Sequence, residues 1–166
     1  QNRNAQLTSL LNPGFNHELF VPKVIINASG ACGDLTLQQV DVPSPRLMGG
    51  TKGSHIITFN QKLREALGEQ AIYSEASDGR LVFILPFENS TLIGTTDVRV
   101  EGNPLDVTAS PEELDYLVGM VNMVFPQVGL TSDDINFHYS GVRPLPYQPE
   151  GKAASISRDH SIKEYE

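Results

Sequence analysis

The sequence predicts an α+β domain built on a mixed, largely antiparallel sheet, with one principal helix packed on one face. Three observations carry this. Four short segments rich in β-branched and aromatic residues follow one another between Ser54 and Asp97, each bounded by turn formers. A single strongly capped amphipathic helix follows from Ser110. The chain has 166 residues, of which 39% are hydrophobic and 19% charged, enough to bury about 70% of its unfolded surface in one core.

Taken in order, Val24, Ile25 and Ile26 form an apolar run ending in Asn27-Ala28-Ser29-Gly30, which predicts a strand entering a tight turn. From there to Pro45 the chain reads as loop or a short helix. The segments SHIITF, AIYSEA, RLVFILPF and TLIGTTD then predict four strands. Ser77-Asp78-Gly79 closes a hairpin between the second and third, and Glu88-Asn89-Ser90 another between the third and fourth. Ser110 is a helix N-cap, with Pro111 in the first helical position and Glu113 completing a capping box. Leu114, Leu117, Val118, Val121 and Phe125 recur at three- and four-residue steps and give the helix one apolar stripe, before Pro126 stops it. A longer strand from Ile135 to Arg143 and a shorter one around Ala154 to Ser157 complete the pattern. The expected division is an N-terminal segment over 1–45 and an α+β domain over 46–166.

Composition excludes some functions. Twelve Lys and Arg stand against 20 Asp and Glu, a net charge of -8, so the chain has no basic face for nucleic acid. No run of 18 apolar residues occurs, which leads to the expectation of a soluble, cytoplasmic protein. Cys32 is the only cysteine, which rules out an internal disulfide and a cysteine-rich metal framework. The start at Gln1 and the charged end at Glu166 suggest a piece excised from a longer chain.

The familiar catalytic motifs are missing. Gly-x-Gly-x-x-Gly, the P-loop, Gly-x-Ser-x-Gly and His-Glu-x-x-His do not occur, and His17, His55, His138 and His160 fall at no metal-ligand spacing. Polar residues instead collect at predicted strand ends: Lys52-Gly53-Ser54-His55, Gly94-Thr95-Thr96-Asp97, Gly141-Val142-Arg143-Pro144 and Ser157-Arg158-Asp159-His160. Neighbouring strand ends can converge on one rim, where His55, Thr95, Arg143 and Arg158 would face an anionic ligand. Each has a plainer reading. A histidine at a strand start is most often an ordinary hydrogen-bonded one, threonines belong in strands, Arg143 suits an ion pair with one of the many acids, and Arg158 suits a surface pair with Asp159.

Taken together and in order, VIINASGACGD, TKGSHIITF, GRLVFILPFENSTLIGTTD, the Ser-Pro-Glu-Glu helix with YLVGMVNMVFP, SGVRPL and SISRDH resemble the FAD-dependent glycerol-3-phosphate dehydrogenases, flavoproteins of the D-amino-acid oxidase-like superfamily. The resemblance runs from Val24 to His160 and implies the middle of such an enzyme, chiefly its substrate-binding domain. It implies oxidation of sn-glycerol 3-phosphate to dihydroxyacetone phosphate, with hydride passing to FAD and electrons then to a quinone. It also implies roles. His55 is the candidate base beside the reacting hydroxyl, Thr95 lines the same pocket, Arg143 lies between substrate and flavin, and Arg158 takes the phosphate through its planar fork. Ala28, Ser29 and Gly30 are the remnant of the turn that approaches FAD. No metal is implied. The family often has Ala-Gly-Pro-Trp after the Asn-Ala of that turn, where this chain has Ser29-Gly30-Ala31-Cys32, and Pro-Trp where it has Pro86-Phe87.

The isolated chain is therefore expected to be inactive and to bind no flavin. Self-association into a homo-oligomer, and docking of the parent at the inner face of the cell membrane, are open expectations. Two alternatives stand beside the leading reading. One is a related flavin oxidase using dioxygen or acting on an amino or hydroxy acid; the other is a non-catalytic module that binds an anion or a partner chain.

Overall fold

The computed structural model describes residues 5–7, 18–151 and 155–165. A short antiparallel pair, β1 (Ala5–Leu7) with β2 (Glu18–Phe20), is followed by a 3-10 turn at Gly30–Cys32 and helix α1 (Gly33–Gln39). The main sheet comprises β3 (Thr51–Thr58), β4 (Ile72–Glu75), β5 (Leu81–Phe87), β6 (Ser90–Gly94), β7 (Val98–Arg99) and β8 (Phe137–Val142), with helices α2 (Gln61–Leu67) and α3 (Pro111–Val124) between them. Every pairing among the described strands is antiparallel, consistent with the α+β class.

Strand β3 is the spine. It pairs with β6 over His55–Thr58, with β7 over Thr51–Lys52 and with β8 over Lys52–Ile57. Lys52 opposes both Val98 and Val142, so β7 and β8 lie on opposite edges of β3, and β7 continues β6 along one edge. Between those two strands the register slips. His55 faces Gly94 and Lys52 faces Val98, so Thr95, Thr96 and Asp97 stand opposite only Gly53 and Ser54. One extra residue in one strand is a β-bulge, a device that breaks strict alternation and re-aims side chains.

Helix α3 covers one face. Its N-cap is as predicted: the Ser110 hydroxyl accepts from the Glu113 amide, and the Glu113 carboxylate accepts from the Ser110 amide. Leu117, Val118, Val121 and Phe125 are buried, joined by Met120, and pack with Ile56, Val82, Ile84 and Ile93 from the sheet. The two hairpins form at the predicted turns, since β4 pairs with β5 and β5 with β6.

Two expectations are corrected, and one element is added. Val24, Ile25 and Ile26 form no strand and are exposed, because an apolar run becomes a strand only where another strand offers its backbone, and none of the described strands does so here. The segment Ser155–Ser157 is likewise not a strand; Ala154 lies outside the described residues. Ile156 is buried between exposed neighbours, so the alternation located one anchoring side chain rather than a hydrogen-bonded ladder. Helix α2 was not foreseen. Its signals are present in the Asn60 side chain, which accepts from the Leu63 amide, in buried Leu63 and Leu67 four residues apart, and in Gly68 at φ +59°.

Candidate active site

The sheet face opposite α3 carries the candidate site. Alternation along β3 turns Ser54, Ile56 and Thr58 toward the helix side, and Gly53, His55 and Ile57 toward the other. His55 lies opposite Gly94 on β6 and Tyr139 on β8. Its imidazole stacks on the Tyr139 ring with centroids 4.7 Å apart and 9° between planes, and leans on Phe83 at 5.6 Å. Gly94 makes this pose possible. A Cβ there would come within 2.1 Å of His55 Cδ2, so any side chain would evict the ring.

Arg143 is held by both its backbone and its guanidinium. Its amide donates to the Thr51 carbonyl at 2.8 Å. Nη1 reaches Asp97 Oδ1 at 3.2 Å, and Nη2 donates to Thr95 Oγ1 at 3.2 Å and the Thr96 carbonyl at 3.1 Å. The bulge explains why Thr95 and Asp97 can both meet this group while Thr96, between them, turns to the helix side. Gly53 lies beneath: a Cβ there would fall 2.4 Å from Arg143 Nη2 and 2.6 Å from Thr95 Oγ1. The plainer expectation of an ion pair for Arg143 is met by Asp97, and the same pair fixes the cation in place.

Gly53, His55, Tyr139, Ser140, Gly141, Val142, Arg143 and Pro144 line an open cleft of about 360 Å³. Two titratable features matter here. Burial, and secondarily the Arg143 charge, push the His55 pKa below its ordinary 6.5, so the imidazole is neutral near pH 7 and able to accept a proton. Its Nδ1 is buried without a hydrogen-bond partner among the described residues.

The predicted residues separate into two groups. The fold brings His55, Thr95 and Arg143 together on one face; Thr95 and Arg143 follow the ends of β6 and β8, whereas His55 stands in the middle of β3 rather than at the strand start expected, because the strand begins at Thr51. The turn at Ala28, Ser29 and Gly30 lies near it: Asn27 Oδ1 accepts from the Ser29 amide and hydroxyl, Asn27 Nδ2 donates to the Gly33 carbonyl, and Gly30, at φ +63°, faces Pro144 Cβ. That segment is tied to the sheet by Asp34, whose carboxylate accepts from the Leu47 and Met48 amides. Arg158 is not brought in. It is exposed on the segment after Ser157 and does not line the cleft. Sequence reasoning missed Tyr139 as the stacking partner of His55, since its position depends on the β3–β8 register. It also missed Asp97 as the partner of Arg143, although the GTTD motif contained it.

Behind the site, on the helix side, a second cluster went unforeseen. Glu113 is buried, and its Oε1 accepts from the Thr96 hydroxyl at 2.6 Å and the Ser54 hydroxyl at 2.8 Å. Its Oε2 accepts from the Ser110 amide at 2.9 Å and pairs with Lys52 Nζ at 2.6 Å. Burial alone would raise the Glu113 pKa, but hydrogen bonds from Lys52, Ser110, Thr96 and Ser54 outweigh it and hold the group down at about 2. The cluster is therefore charged and intact at all pH values above the ordinary carboxylate range, and is lost only as the pH falls toward 2.

Comparison with known proteins identifies the family. The family model described as FAD dependent oxidoreductase matches residues 3–162. The chain is 41% identical over 150 residues to the glycerol-3-phosphate dehydrogenase of Synechocystis sp., covering 86% of this chain and 27% of that one. It is 39% identical over 127 residues to the alpha-glycerophosphate oxidase of Enterococcus casseliflavus, covering 74% of this chain and 20% of the other. The X-ray structure of the glycerol-3-phosphate dehydrogenase from Bacillus halodurans complexed with FAD superposes with a TM-score of 0.69 at 31% identity, over 81% of this chain and 27% of that one. The chain thus spans about a quarter of the length of these relatives. Because that family model spans nearly the whole chain, the chain belongs to the FAD dependent oxidoreductase family.

Proposed function

We propose that this chain forms the substrate-binding part of an enzyme that oxidises sn-glycerol 3-phosphate to dihydroxyacetone phosphate with FAD. The observation that carries the reading is the meeting of His55 and Arg143 at one cleft, with Thr95 holding the Arg143 guanidinium, each from a different motif.

Whether the residues present suit FAD is answered by the cleft. Gly53 and Gly141 leave part of its wall without side chains, His55 Nδ1 lacks a partner, and the Ala28–Gly30 turn stands beside Pro144. These features fit the reacting end of a flat ring system. The described sheet is wholly antiparallel, so nothing in it resembles the parallel fold that holds a dinucleotide's pyrophosphate. Ala28, Ser29, Gly30 and Arg143 would therefore meet the ring end, and the remainder of the cofactor belongs to polypeptide outside this chain. When bound, FAD supplies the acceptor for the hydride that leaves the carbinol carbon.

The chain's own residues act at the hydroxyl. Neutral His55 takes the hydroxyl proton as the O–H bond breaks. Arg143, held by Thr95, Thr96 and Asp97, presents a fixed positive charge to the negative charge developing on that oxygen, with no reorganisation needed at the moment of reaction. Thr95 anchors the guanidinium. We assign the substrate phosphate to Arg158 on the strength of the SRDH motif, and the whole enzyme would have to carry this residue to the cleft. The exposed Val24–Ile26 run suits a strand that pairs with the absent FAD-binding part, and a chain lacking that part is inactive on this reading.

Electrons pass onward to a quinone in the leading reading, in a cytoplasmic enzyme docked at the inner membrane face. Dioxygen is the rival acceptor, favoured by the likeness to the Enterococcus oxidase. Steady-state assays of the full-length protein with glycerol 3-phosphate, run with quinone analogues or with dioxygen, decide between them. In the same assays Arg143→Ala should lower turnover about 100-fold or more, as expected for losing a fixed charge-stabilising donor, while Arg158→Ala should mainly raise KM. Wild-type rates in both variants would end the proposal.

A further inference from the structure

We infer that Glu113, which touches neither cleft nor substrate, is the positioning residue that sets Arg143 and Thr95 in their working geometry. The inference deepens the reading above and rests on it.

The argument begins with the bulge. Residues 95–97 leave the regular ladder, so the register of β3 alone does not locate them. Two groups hold them instead, from opposite sides of the sheet. On the cleft side, Arg143 takes Thr95 Oγ1, the Thr96 carbonyl and Asp97 Oδ1. On the helix side, Glu113 Oε1 takes the Thr96 hydroxyl and the Ser54 hydroxyl together. Thr96 Oγ1 also accepts from the Ser54 amide at 2.9 Å, and the Thr96 amide donates to the Ser54 carbonyl. Thr96 and Ser54 are thus fastened side by side, and their chain neighbours are Thr95 on one strand and Gly53 and His55 on the other.

The two Glu113 oxygens divide the labour. Oε2 belongs to the helix N-terminus and Lys52, and Oε1 belongs to the bulge and β3. A residue needed only as a helix cap would be satisfied by its bond to the Ser110 amide. The second oxygen carries the fixed position of α3 through the sheet to the floor of the cleft. Four donors converge on one buried carboxylate, which leaves it no alternative geometry. If the clamp is released, the Thr96 carbonyl and Thr95 hydroxyl can drift, and with them two of the acceptors that aim the guanidinium. A displacement near 1 Å at a catalytic group costs roughly 100-fold in rate.

The test uses the full-length holoenzyme. Thr96→Val keeps the side-chain shape and removes the hydroxyl; Glu113→Gln keeps the size and removes the charge. Both should lower kcat for glycerol 3-phosphate by about 10-fold or more with a smaller change in KM. Thr96→Ser, which retains the hydroxyl, should recover most of the lost turnover. Asn122→Ala is the control for simple destabilisation, because Asn122 bonds the Leu130 amide and carbonyl at the far end of α3. It should lower Tm while kcat per folded enzyme stays within about twofold of wild type. Hydrogen exchange gives a second readout. Amides in 93–98 should exchange faster in Thr96→Val and Glu113→Gln, and not in Asn122→Ala.

The inference is overturned if both site variants turn over at the wild-type rate, or if their loss only tracks Tm as in the control. Unchanged exchange in 93–98 also overturns it, whatever the substrate. Should Glu113→Gln fail to fold, Thr96→Val alone decides. A wild-type holoenzyme that leaves glycerol 3-phosphate untouched instead overturns the reading on which the inference rests, while the exchange measurement still judges the clamp.

Discussion

The two faces of one sheet differ more than any two parts of this chain. The face under α3 is closed: Ile56, Val82, Ile84 and Ile93 are sealed by Leu117 and Val121, the Ser54 and Thr96 hydroxyls end on Glu113, and the Thr58 hydroxyl ends on the Asp134 carbonyl, while the buried Thr91 hydroxyl has no partner among the described residues. The opposite face is unfinished. It carries exposed Tyr73, Leu81, Phe137 and Tyr139, two glycines where side chains would collide, and an imidazole with an orphaned buried nitrogen. The same strands build both, because side chains alternate along each strand. The lesson is that the closed face holds the sheet still so that the open face can be left bare for chemistry.

This contrast can be broken or sharpened by substitution. The largest expected effect lies on the closed face. Leu117→Ala in the full-length enzyme should cost about 3 kcal/mol of stability, within the usual range for a buried leucine, and should leave kcat per folded molecule near wild type. Denaturant unfolding combined with active-site titration checks both halves; a large loss of kcat would mean that the faces are not separable in this way. Next comes Gly94→Ala on the open face. Its new methyl displaces the His55 ring, and kcat/KM should fall about 100-fold, equivalent to about 2.7 kcal/mol at the transition state, with a smaller loss of stability.

A smaller effect concerns pH. The His55 pKa lies below 6.5 in the folded protein, so kcat/KM should hold through neutrality and fall only below that value, as the imidazole gains its proton. The Arg143 charge contributes to that lowering, so in Arg143→Lys the acid limb should stay low, whereas in Arg143→Ala it should move up toward 6.5. An acid limb that stays in place in Arg143→Ala would show that burial alone lowers the His55 pKa. The smallest effect is expected at Tyr73, 67% exposed at the sheet's edge. Tyr73→Ser should change stability by less than about 1 kcal/mol, and a greater loss would show that the rest of the enzyme covers that end of the open face.

Much of this was legible in the chain. The Ser110-Pro111-Glu113 start and the Leu117-Val121 stripe specify α3 through local capping and a 3.6-residue period, both of which act within a few residues. The hairpins at Ser77–Gly79 and Glu88–Asn89 are equally local. Val24–Ile26 was misread because apolar character measures a tendency toward burial, and burial requires a partner that local sequence cannot supply. The site divides in the same way. His55, Thr95 and Arg143 were recognisable from their motifs. That Tyr139 stacks on His55 and that Asp97 grips Arg143 followed from pairings between residues more than 40 positions apart.

By itself, then, the sequence determined the hairpins, helix α3 and the residue types able to bind an anion or move a proton, since those follow from short-range sterics, hydrogen-bonding capacity and charge. Only the tertiary structure decided which of them meet. The slip between Gly94 and Val98 turns Thr95 toward the cleft and Thr96 toward Glu113, and Arg158 stays outside. The physical reason is that strand register is a long-range property. A one-residue change in alignment exchanges the two faces of a strand without altering a single local preference.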